Sequence, residues 1–265
     1  LFLKTMGHVG QITLCKINPY IKQDIEACCE NSEIVINLIG IFYEKKNSTF
    51  KRVHVELAET IAESTAKAGA KRFLHMSALG ADSRSKSAYA ISKIQGEQAV
   101  LKAYPQATIF RPSLVFGPHD RFFNRFSEIS RFSPILPLIG GGKTHLQPTY
   151  VGDVIEAVIV ATKYRESEEQ IYELGGPKIY SFKELFEIML KIIQLKRLLL
   201  PLPYFIAKII GFFGEFLPTP PLTRDQVKFL EKDNILTKRN LTFQDLGLVP
   251  HALESILPRY LSHYK

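Results

Sequence analysis

The chain has 265 residues, of which 46% are hydrophobic and 11% aromatic, as in globular proteins with a sizeable core. This composition excludes intrinsic disorder and suits one α/β domain with a smaller lobe attached. The formal net charge of +8 favours anionic partners such as nucleotides, anionic lipid or an acidic protein face. Because no run of five basic residues is present, nucleic-acid binding is not expected.

The sequence shows no pattern typical of disulfides, metal sites or secretion. The three cysteines, Cys15, Cys28 and Cys29, are too few for a disulfide framework and indicate a reducing compartment. None of the seven histidines has the spacing of a metal site, so no metal is expected. No signal-peptide pattern follows Leu1, and the first residues resemble the interior of a domain. We therefore expect a fragment that lacks the start of its first domain.

Strands and helices alternate in the predicted elements up to residue 117. In chain order, the patterns predict a strand at 11–15, a helix at 20–31, a strand at 34–39, a helix at 52–69, a strand at 71–77, a helix at 87–103 and a strand at 107–116. This alternation is typical of βαβ units and a parallel sheet with helices on both faces.

The alternation breaks after Gly117. Residues 118–148 are rich in proline and glycine and are interpreted as an insertion or linker. A helix at 153–163 and a strand at 171–174 follow, and residues 181–265 are predicted to be helical with proline-rich breaks at 201–203 and 218–221. The predicted fold is α/β, a Rossmann-like doubly wound parallel sheet whose N-terminal βαβ unit is missing. Its domains are expected at 1–177 and, as a small, mainly helical lobe, at 178–265.

Tyr89, Lys93 and Ser77 form the strongest chemical pattern. Tyrosine and lysine four residues apart lie on one face of a helix, and a neighbouring ammonium lowers the pKa of a phenol. A tyrosine tuned in this way can exchange a proton with a carbonyl group. Ser77 follows a predicted strand at the carboxyl end, where α/β sheets place ligands, and its hydroxyl can bond a substrate oxygen. The three residues are therefore the predicted catalytic set.

The segments HMSALGAD (75–82), YAISKIQGE (89–97) and FRPSLVFGP (110–118) resemble the extended and atypical short-chain dehydrogenases. The resemblance implies that Tyr89 is the acid/base, that Lys93 bonds the nicotinamide ribose and that Ser77 positions the substrate. It also implies NAD(H) or NADP(H) as the cofactor and favours NADP(H). The cofactor contacts that it implies are Asn18, Leu38, Ile39, Gly40, Tyr89, Lys93, Pro112 and Ser113.

The chain departs from this family pattern in several places. The family opens with a glycine-rich turn that holds the pyrophosphate, whereas residues 7–10 (GHVG) are too short for it and predict an ordinary turn. Asn18 stands where the family often has aspartate, and His54 where it often has an asparagine that supports a proton relay. These departures favour a retained binding site over efficient catalysis. The run GGGKT (140–144) is not a phosphate loop, because Pro137 stands where a glycine is required.

A closer resemblance is to the family of nucleotide-binding accessory subunits of respiratory complex I and their bacterial relatives. It is carried by LKTMG (3–7), Gly10-Gln11, VINLIG (35–40), DRF (120–122) and LTRDQV (222–227). It implies a structural NADPH, complex I subunits as partners, and a peripheral location. The location is the cytoplasmic side of a bacterial inner membrane or the matrix side of the mitochondrial inner membrane. Two alternatives remain: an active NAD(P)-dependent reductase, dehydrogenase or sugar-nucleotide epimerase/dehydratase, and a solitary redox-sensing binder.

Residues 198–217 (LLLPLPYFIAKIIGFFGEFL) form the longest apolar stretch. Its length approaches that of a membrane span, but prolines at 201 and 203 and charges at 208 and 215 argue against a transmembrane helix. The stretch predicts either an interfacial amphipathic helix on an anionic membrane surface or a core helix of the small lobe. The residues expected on its apolar side are Phe205, Ile206, Ile209, Ile210 and Phe213.

Overall fold

The computed structural model describes residues 3, 6–237 and 239–264, so Lys4 and Thr5 of the LKTMG segment lie outside the described residues. The α-helices are α1 (Lys22–Cys29), α2 (Leu57–Lys67), α3 (Ala88–Ala103), α4 (Phe123–Phe132), α5 (Val151–Lys163), α6 (Phe182–Ile192), α7 (Tyr204–Gly214), α8 (Arg224–Phe229) and α9 (Leu253–Leu261). The strands are β1 (Ile34–Asn37), β2 (Arg72–Met76), β3 (Thr108–Pro112), β4 (Val115–Phe116), β5 (Ile135–Ile139), β6 (His145–Leu146), β7 (Thr149–Tyr150), β8 (Ile171–Leu174), β9 (Tyr180–Ser181) and β10 (Leu198–Leu202).

A parallel sheet with the strand order β1-β2-β3-β8 forms the centre of the molecule. Successive residues of β2 point to opposite faces, so Phe73 packs against α1, α2 and α3 while Leu74 packs against α5. Because helices cover both faces, β2 and β3 are apolar in consecutive positions rather than in alternate ones. The predicted α/β fold with a Rossmann-like parallel sheet is confirmed.

Strand β1 lies at an edge of this sheet, and its side chains Ile34 and Ile36 are 41% and 42% exposed. The strand predicted at 11–15 was wrong. These residues, all within the described part of the chain, follow a turn closed by a hydrogen bond from Gln11 N–H to His8 C=O and form no strand. A few alternating apolar residues do not make a strand unless a neighbouring strand pairs with them.

Strand β5 pairs in parallel with β10 and joins the 118–148 segment to the C-terminal lobe. The segment predicted as an insertion or linker is ordered and contains α4, β5 and β6. The helical prediction for residues 198–200 was wrong, since they belong to β10, which extends into the break predicted at 201–203. Pro201 lacks an N–H and disrupts a helix interior, whereas a two-stranded sheet leaves one side of each strand free of ladder bonds.

A further hydrophobic core is formed by α4, α6 and α9 together with β5, so residues before 178 contribute to it. Helix α6 begins at a capping box in which Ser181 and Glu184 bond each other's backbone N–H groups. Its buried side chains follow the spacing i, i+3, i+4, i+7 and i+8, which places one apolar face toward the core. These side chains are Phe182, Leu185, Phe186, Met189 and Leu190.

Candidate functional site

Helix α3, which carries Tyr89 and Lys93, begins at a doubly capped N-terminus. The Ser87 side chain accepts a hydrogen bond from the N–H of Ala90. The Asp225 carboxylate accepts bonds from the Ser87 hydroxyl at 2.7 Å, the Ala88 N–H at 2.7 Å and the Tyr89 N–H at 3.0 Å. Together the two side chains satisfy donors that a free helix end leaves unpaired, and a carboxylate there also complements the helix dipole.

Lys93 is buried at the carboxyl end of β2. Its Nζ donates a hydrogen bond to the carbonyl oxygen of Met76 at 2.8 Å. Burial lowers the pKa of Lys93 to about 8, although the nearby Glu97 carboxylate acts in the opposite direction. An ammonium has three hydrogens, and the Met76 carbonyl takes one of them. The remaining two are available to an oxygen-bearing ligand at this edge of the sheet.

Tyr89 lies in an aromatic cage. Its ring stacks on Phe42 at a centroid distance of 5.3 Å, and it meets Phe50, His54 and Phe229 edge-on at 5.8, 5.5 and 5.5 Å. This burial raises the pKa of Tyr89 above its usual value of 10. The lowering of the Tyr89 pKa by Lys93 that the sequence predicts is therefore wrong. The Lys93 ammonium is bound to the Met76 carbonyl, and the cage disfavours the phenolate.

Ser77 belongs to a buried polar network. Its hydroxyl donates a hydrogen bond to the Glu97 carboxylate, which also accepts two bonds from the Arg111 guanidinium, at 2.9 and 2.5 Å. Arg111 lies 3.9 Å from the carboxylate of Glu173, so one guanidinium stands between two buried acids. The hydroxyl expected to meet a substrate carbonyl is thus already committed to an internal acceptor.

His54 is held as a neutral ring next to Tyr89. Its Nε2 accepts a bond from the Ile41 N–H at 3.0 Å, so its Nδ1 carries the proton and donates to Ser92 Oγ at 2.8 Å. The Ser92 hydroxyl in turn donates to the Tyr89 carbonyl oxygen at 2.7 Å. Burial and the charge of Lys93 lower the pKa of His54 to about 3. Both ring nitrogens are used structurally, which agrees with the expectation that His54 does not support a proton relay.

The carbonyl oxygen of His54 also explains Gly96. A Cβ at position 96 would collide with that oxygen, so only glycine lets α3 pack this closely. The opposing residues Lys51–Glu56 form a π-helical segment that leads into α2. Wider turns of this kind are frequent at functional sites, and here the segment carries His54 to its place beside Tyr89.

A second buried histidine, His75, shapes the turn that follows β1. The Asn37 amide donates to His75 Nδ1 at 3.1 Å, and its oxygen accepts the Ile39 N–H at 3.0 Å. Leu38, Ile39 and Gly40 consequently form a turn at the carboxyl end of the sheet, with Leu38 and Ile39 exposed. Burial and Lys93 lower the pKa of His75 to about 3.

The remaining predicted cofactor contacts are engaged within the protein. Asn18 lies in the turn before α1: its N–H donates to Asp24 at 2.8 Å and its side-chain oxygen accepts the Tyr20 N–H at 3.1 Å. The Pro112 carbonyl accepts the Leu79 N–H at 2.9 Å. The Ser113 hydroxyl donates to the Asn234 side-chain oxygen at 2.7 Å. Ser77, Tyr89, Lys93 and the 38–40 turn thus share one edge of the sheet, whereas the polar atoms of Asn18 serve a local turn.

Sequence reasoning missed three residues of this site, namely Asp225, Glu97 and Asn234. The run Thr223–Gln226 is a capping box that marks the start of α8, but it gives no hint that Asp225 also caps α3. Glu97 and Asn234 are polar residues in otherwise ordinary sequence surroundings, and only the fold reveals that they are buried.

A cavity of about 170 Å³ lies away from this site, between α1 and the start of α2. It contains none of the predicted site residues and is lined by Pro19, Tyr20, Lys22, Arg52, Glu56, Leu57 and Thr60. Within the described ranges, no group of three or more histidine, cysteine, aspartate or glutamate side chains is arranged to hold a metal ion. None of the described helices has the length and hydropathy needed to cross a membrane.

Residues 4–175 match the sequence model of the NAD dependent epimerase/dehydratase family. The chain belongs to this family. The resemblance to extended short-chain dehydrogenases is confirmed, and family membership supports binding of a nicotinamide dinucleotide.

Two curated relatives match almost the whole chain. One is the NADH dehydrogenase (ubiquinone) 1 alpha subcomplex subunit 9, mitochondrial, of Arabidopsis thaliana, which is 38% identical over 99% of the chain and 68% of its own length. The protein of the same name from Mus musculus is 34% identical over 96% of the chain and 68% of its own length. A solved structure of the same fold is UDP-glucuronic acid 4-epimerase from Bacillus cereus in complex with UDP-glucuronic acid and NAD. It has a TM-score of 0.71 and 14% identity, and covers 99% of the chain and 85% of that protein.

The residues present fit the ribose end of such a dinucleotide. Lys93 brings a buried ammonium with two free hydrogens, and Tyr89 stands one helical turn away on the same face. Gly40 leaves the neighbouring turn without a side chain beside His54. In the described residues before β1, no strand is followed by a glycine-rich turn, so the fit concerns the ribose end alone. There Lys93 would bind hydroxyl groups and the aromatic cage would exclude water.

Proposed function

We propose that the chain is a nucleotide-binding accessory subunit of respiratory complex I in which the bound dinucleotide is structural. The observation that carries the proposal is the extent of the similarity. The family match ends at residue 175, whereas the identity to the mitochondrial subunits named above covers 96–99% of the chain. The C-terminal lobe is therefore shared with those subunits, and not only the nucleotide-binding fold.

The geometry of the site supports binding without turnover. A proton donor or acceptor works best with a pKa near the working pH, and burial moves the pKa of Tyr89 in the unfavourable direction. The Ser77 hydroxyl is bonded to Glu97 and not offered to a substrate. Lys93, by contrast, keeps donors free for the ribose. We therefore expect Lys93 to bind the dinucleotide, while the raised pKa of Tyr89 and the bond from Ser77 to Glu97 disfavour its turnover.

NADP(H) is the proposed form of the nucleotide, as implied by the resemblance to complex I accessory subunits. The buried ammonium of Lys93 suits the ribose of NAD(H) and NADP(H) alike. Extraction of the bound nucleotide and its identification by mass spectrometry distinguish the two, since NADP(H) carries one additional phosphate.

We further propose that α7 faces an anionic membrane surface or neighbouring subunits. Its small residues Ala207 and Gly211 are buried, while Phe205, Ile209 and Phe213 are 65%, 54% and 65% exposed. Such an amphipathic, aromatic face is typical of helices that lie at a lipid interface. The net charge of +8 favours an anionic surface. Because the relatives named above are mitochondrial, the proposed site is the matrix side of the inner membrane, and the bacterial location stays a prediction.

An active NAD(P)-dependent reductase or sugar-nucleotide epimerase is the second candidate function. The observation that favours it is the presence of both Tyr89 and Lys93 on one face of α3. A solitary redox-sensing binder would share the same site and differs only in having no respiratory partners.

The deciding experiment is isolation of the full-length protein from native membranes in mild detergent. We expect complex I subunits and NADP(H) in the same fraction. A matched pair of variants tests α7: Phe205→Ser with Ile209→Ser and Phe213→Ser should release the protein from membranes. Ile155→Ser with Ile159→Ser, which alters similarly exposed residues on α5, should not. A soluble, nucleotide-free protein that converts a sugar nucleotide would overturn the proposal.

A further inference from the structure

Residues 223–237, here called the strap, cross the carboxyl ends of the central strands. The Asn234 amide donates to the Leu79 carbonyl oxygen, beyond β2, at 2.7 Å. The Asn234 side-chain oxygen accepts the Ser113 hydroxyl, beyond β3, at 2.7 Å. The Thr237 N–H donates to Glu173, in β8, at 2.6 Å. The strap is thus fastened to three neighbouring strands at the edge where α/β folds bind their ligands.

The other end of the strap is fastened to the helix that carries Tyr89. Asp225 accepts three hydrogen bonds at the N-terminus of α3, and Phe229 meets the Tyr89 ring edge-on at a centroid distance of 5.5 Å. Between these points, Lys232 pairs with Asp82 at 2.9 Å. The strap therefore passes directly over the tyrosine.

The space between the strap and the loop of residues 80–85 is small. The cavity between the strap and residues 80–85 measures about 10 Å³ and is lined by Gly80, Ser85, Phe229, Lys232, Asp233 and Asn234. A single water molecule needs roughly 10–15 Å³, so this cavity, which Tyr89 does not line, is too small for a substrate.

We propose that the strap closes the substrate side of the Tyr89 site, so that the folded protein holds a dinucleotide and admits no second substrate. This inference rests on the proposed function and supplies its physical basis. An ion pair also connects the strap to α7: Glu215, just beyond that helix, pairs with Arg224 of the strap at 2.7 Å. Opening the strap requires the hydrogen bonds of Asp225, Asn234 and Thr237 to break together, and each of these residues bonds to at least one buried partner.

Hydroxyl-radical footprinting of the full chain tests the closure, because radicals oxidise aromatic rings according to solvent access and not protonation. Tyr164 (51% exposed) and Tyr172 (2% exposed) are internal references for open and closed rings. We expect Tyr89, which is half-buried, to be oxidised in the unaltered protein at a rate between those of Tyr172 and Tyr164. Phe229→Ala should bring Tyr89 close to the rate of Tyr164. Phe205→Ala, which removes an exposed ring from α7, should change the oxidation rate of neither Tyr89 nor Tyr164.

Asp225→Asn is a second opening variant, and protection of Tyr172 verifies that each variant is folded. Oxidation of Tyr89 at the rate of Tyr164 in the unaltered protein would overturn the proposal. Footprinting needs no partner, so a failure of the complex I assignment is a separate outcome.

Discussion

The carboxylate of Asp225 accepts a hydrogen bond from the backbone N–H of Tyr89 at 3.0 Å, across a sequence separation of 136 residues. The bond joins α8 in the C-terminal half of the chain to α3 in the nucleotide-binding fold. Because the same carboxylate also binds Ser87 and Ala88, one side chain fixes where the helix of Tyr89 and Lys93 begins.

Asp225→Ala should lower the free energy of unfolding by about 2 kcal/mol, because it leaves three donors at the start of α3 without their acceptor. Urea denaturation followed by circular dichroism measures the effect. The control is Glu187→Ala, which removes an exposed carboxylate paired with Lys183 and should change stability by less than ~0.5 kcal/mol. Equal effects of the two substitutions would show that the cap contributes no more than a surface ion pair.

Gly96→Ala should destabilise the protein by roughly 2–3 kcal/mol, since its Cβ would collide with the His54 carbonyl oxygen and push α3 away from the π-helical segment. Thermal denaturation provides the measurement. Gln95→Ala alters the exposed neighbour on the same helix and should be neutral. A Gly96→Ala protein as stable as the Gln95→Ala protein would mean that the two segments separate at little cost.

Lys93→Met should remove a pH dependence of stability at alkaline pH. The pKa of Lys93 is about 8 in the folded protein and 10.5 in the unfolded chain, so only the unfolded chain binds this proton between these values. The nucleotide-free protein should therefore gain ~3 kcal/mol from this group as pH rises from 8 to 10.5, and the methionine variant should not.

The same substitution should weaken NADPH binding about tenfold, because it removes a charged hydrogen-bond donor. Lys102→Met, at an exposed position that is also on α3, should alter neither the alkaline pH dependence of stability nor the affinity for NADPH. Urea midpoints across the alkaline range and fluorescence titration with NADPH measure the two effects.

The two buried histidines should make the protein sensitive to acid. The pKa values of His54 and His75 are lowered from 6.5 to about 3. Between these pH values the two histidines are therefore protonated in the unfolded chain but not in the folded protein. Each histidine should therefore remove ~1 kcal/mol of stability for every pH unit between 6.5 and 3.

His54→Asn should halve this acid dependence, and His263→Asn, at an exposed position, should leave it unchanged. Urea midpoints measured from pH 7.5 to pH 5 test both. An acid dependence that survives in full after His54→Asn would assign it to other groups.

Much of the fold follows from local patterns in the sequence. The strands at 34–37, 72–76 and 171–174, and the helix at 88–103, have the apolar spacing and end signals that predict them. The segment predicted as one strand at 107–116 is divided, because Ser113 turns aside to bond Asn234 and residues 115–116 pair with β7. That division depends on a residue more than a hundred positions away, which no local pattern reveals.

The candidate site was predictable in its residue types and not in their partners. Helical spacing places Tyr89 and Lys93 on one face, as α3 confirms. The pKa of Tyr89 depends instead on Phe42 and Phe229, whose rings reach it from distant segments. Likewise, the commitment of Ser77 to Glu97 depends on the packing of α3 against β2, which sets the burial of both residues.

The pairing of β5 with β10 has a consequence for how the chain acquires its structure during synthesis. Residues 135–139 find their partner strand only when residues 198–202 have emerged, and α4 packs on α9, which spans residues 253–261. Contacts between such distant segments form slowly. The core formed by α4, β5, α6 and α9 can therefore close only after residues 253–261 have been synthesised, and until then the apolar residues of β5 and α4 lack the contacts that shield them from aggregation.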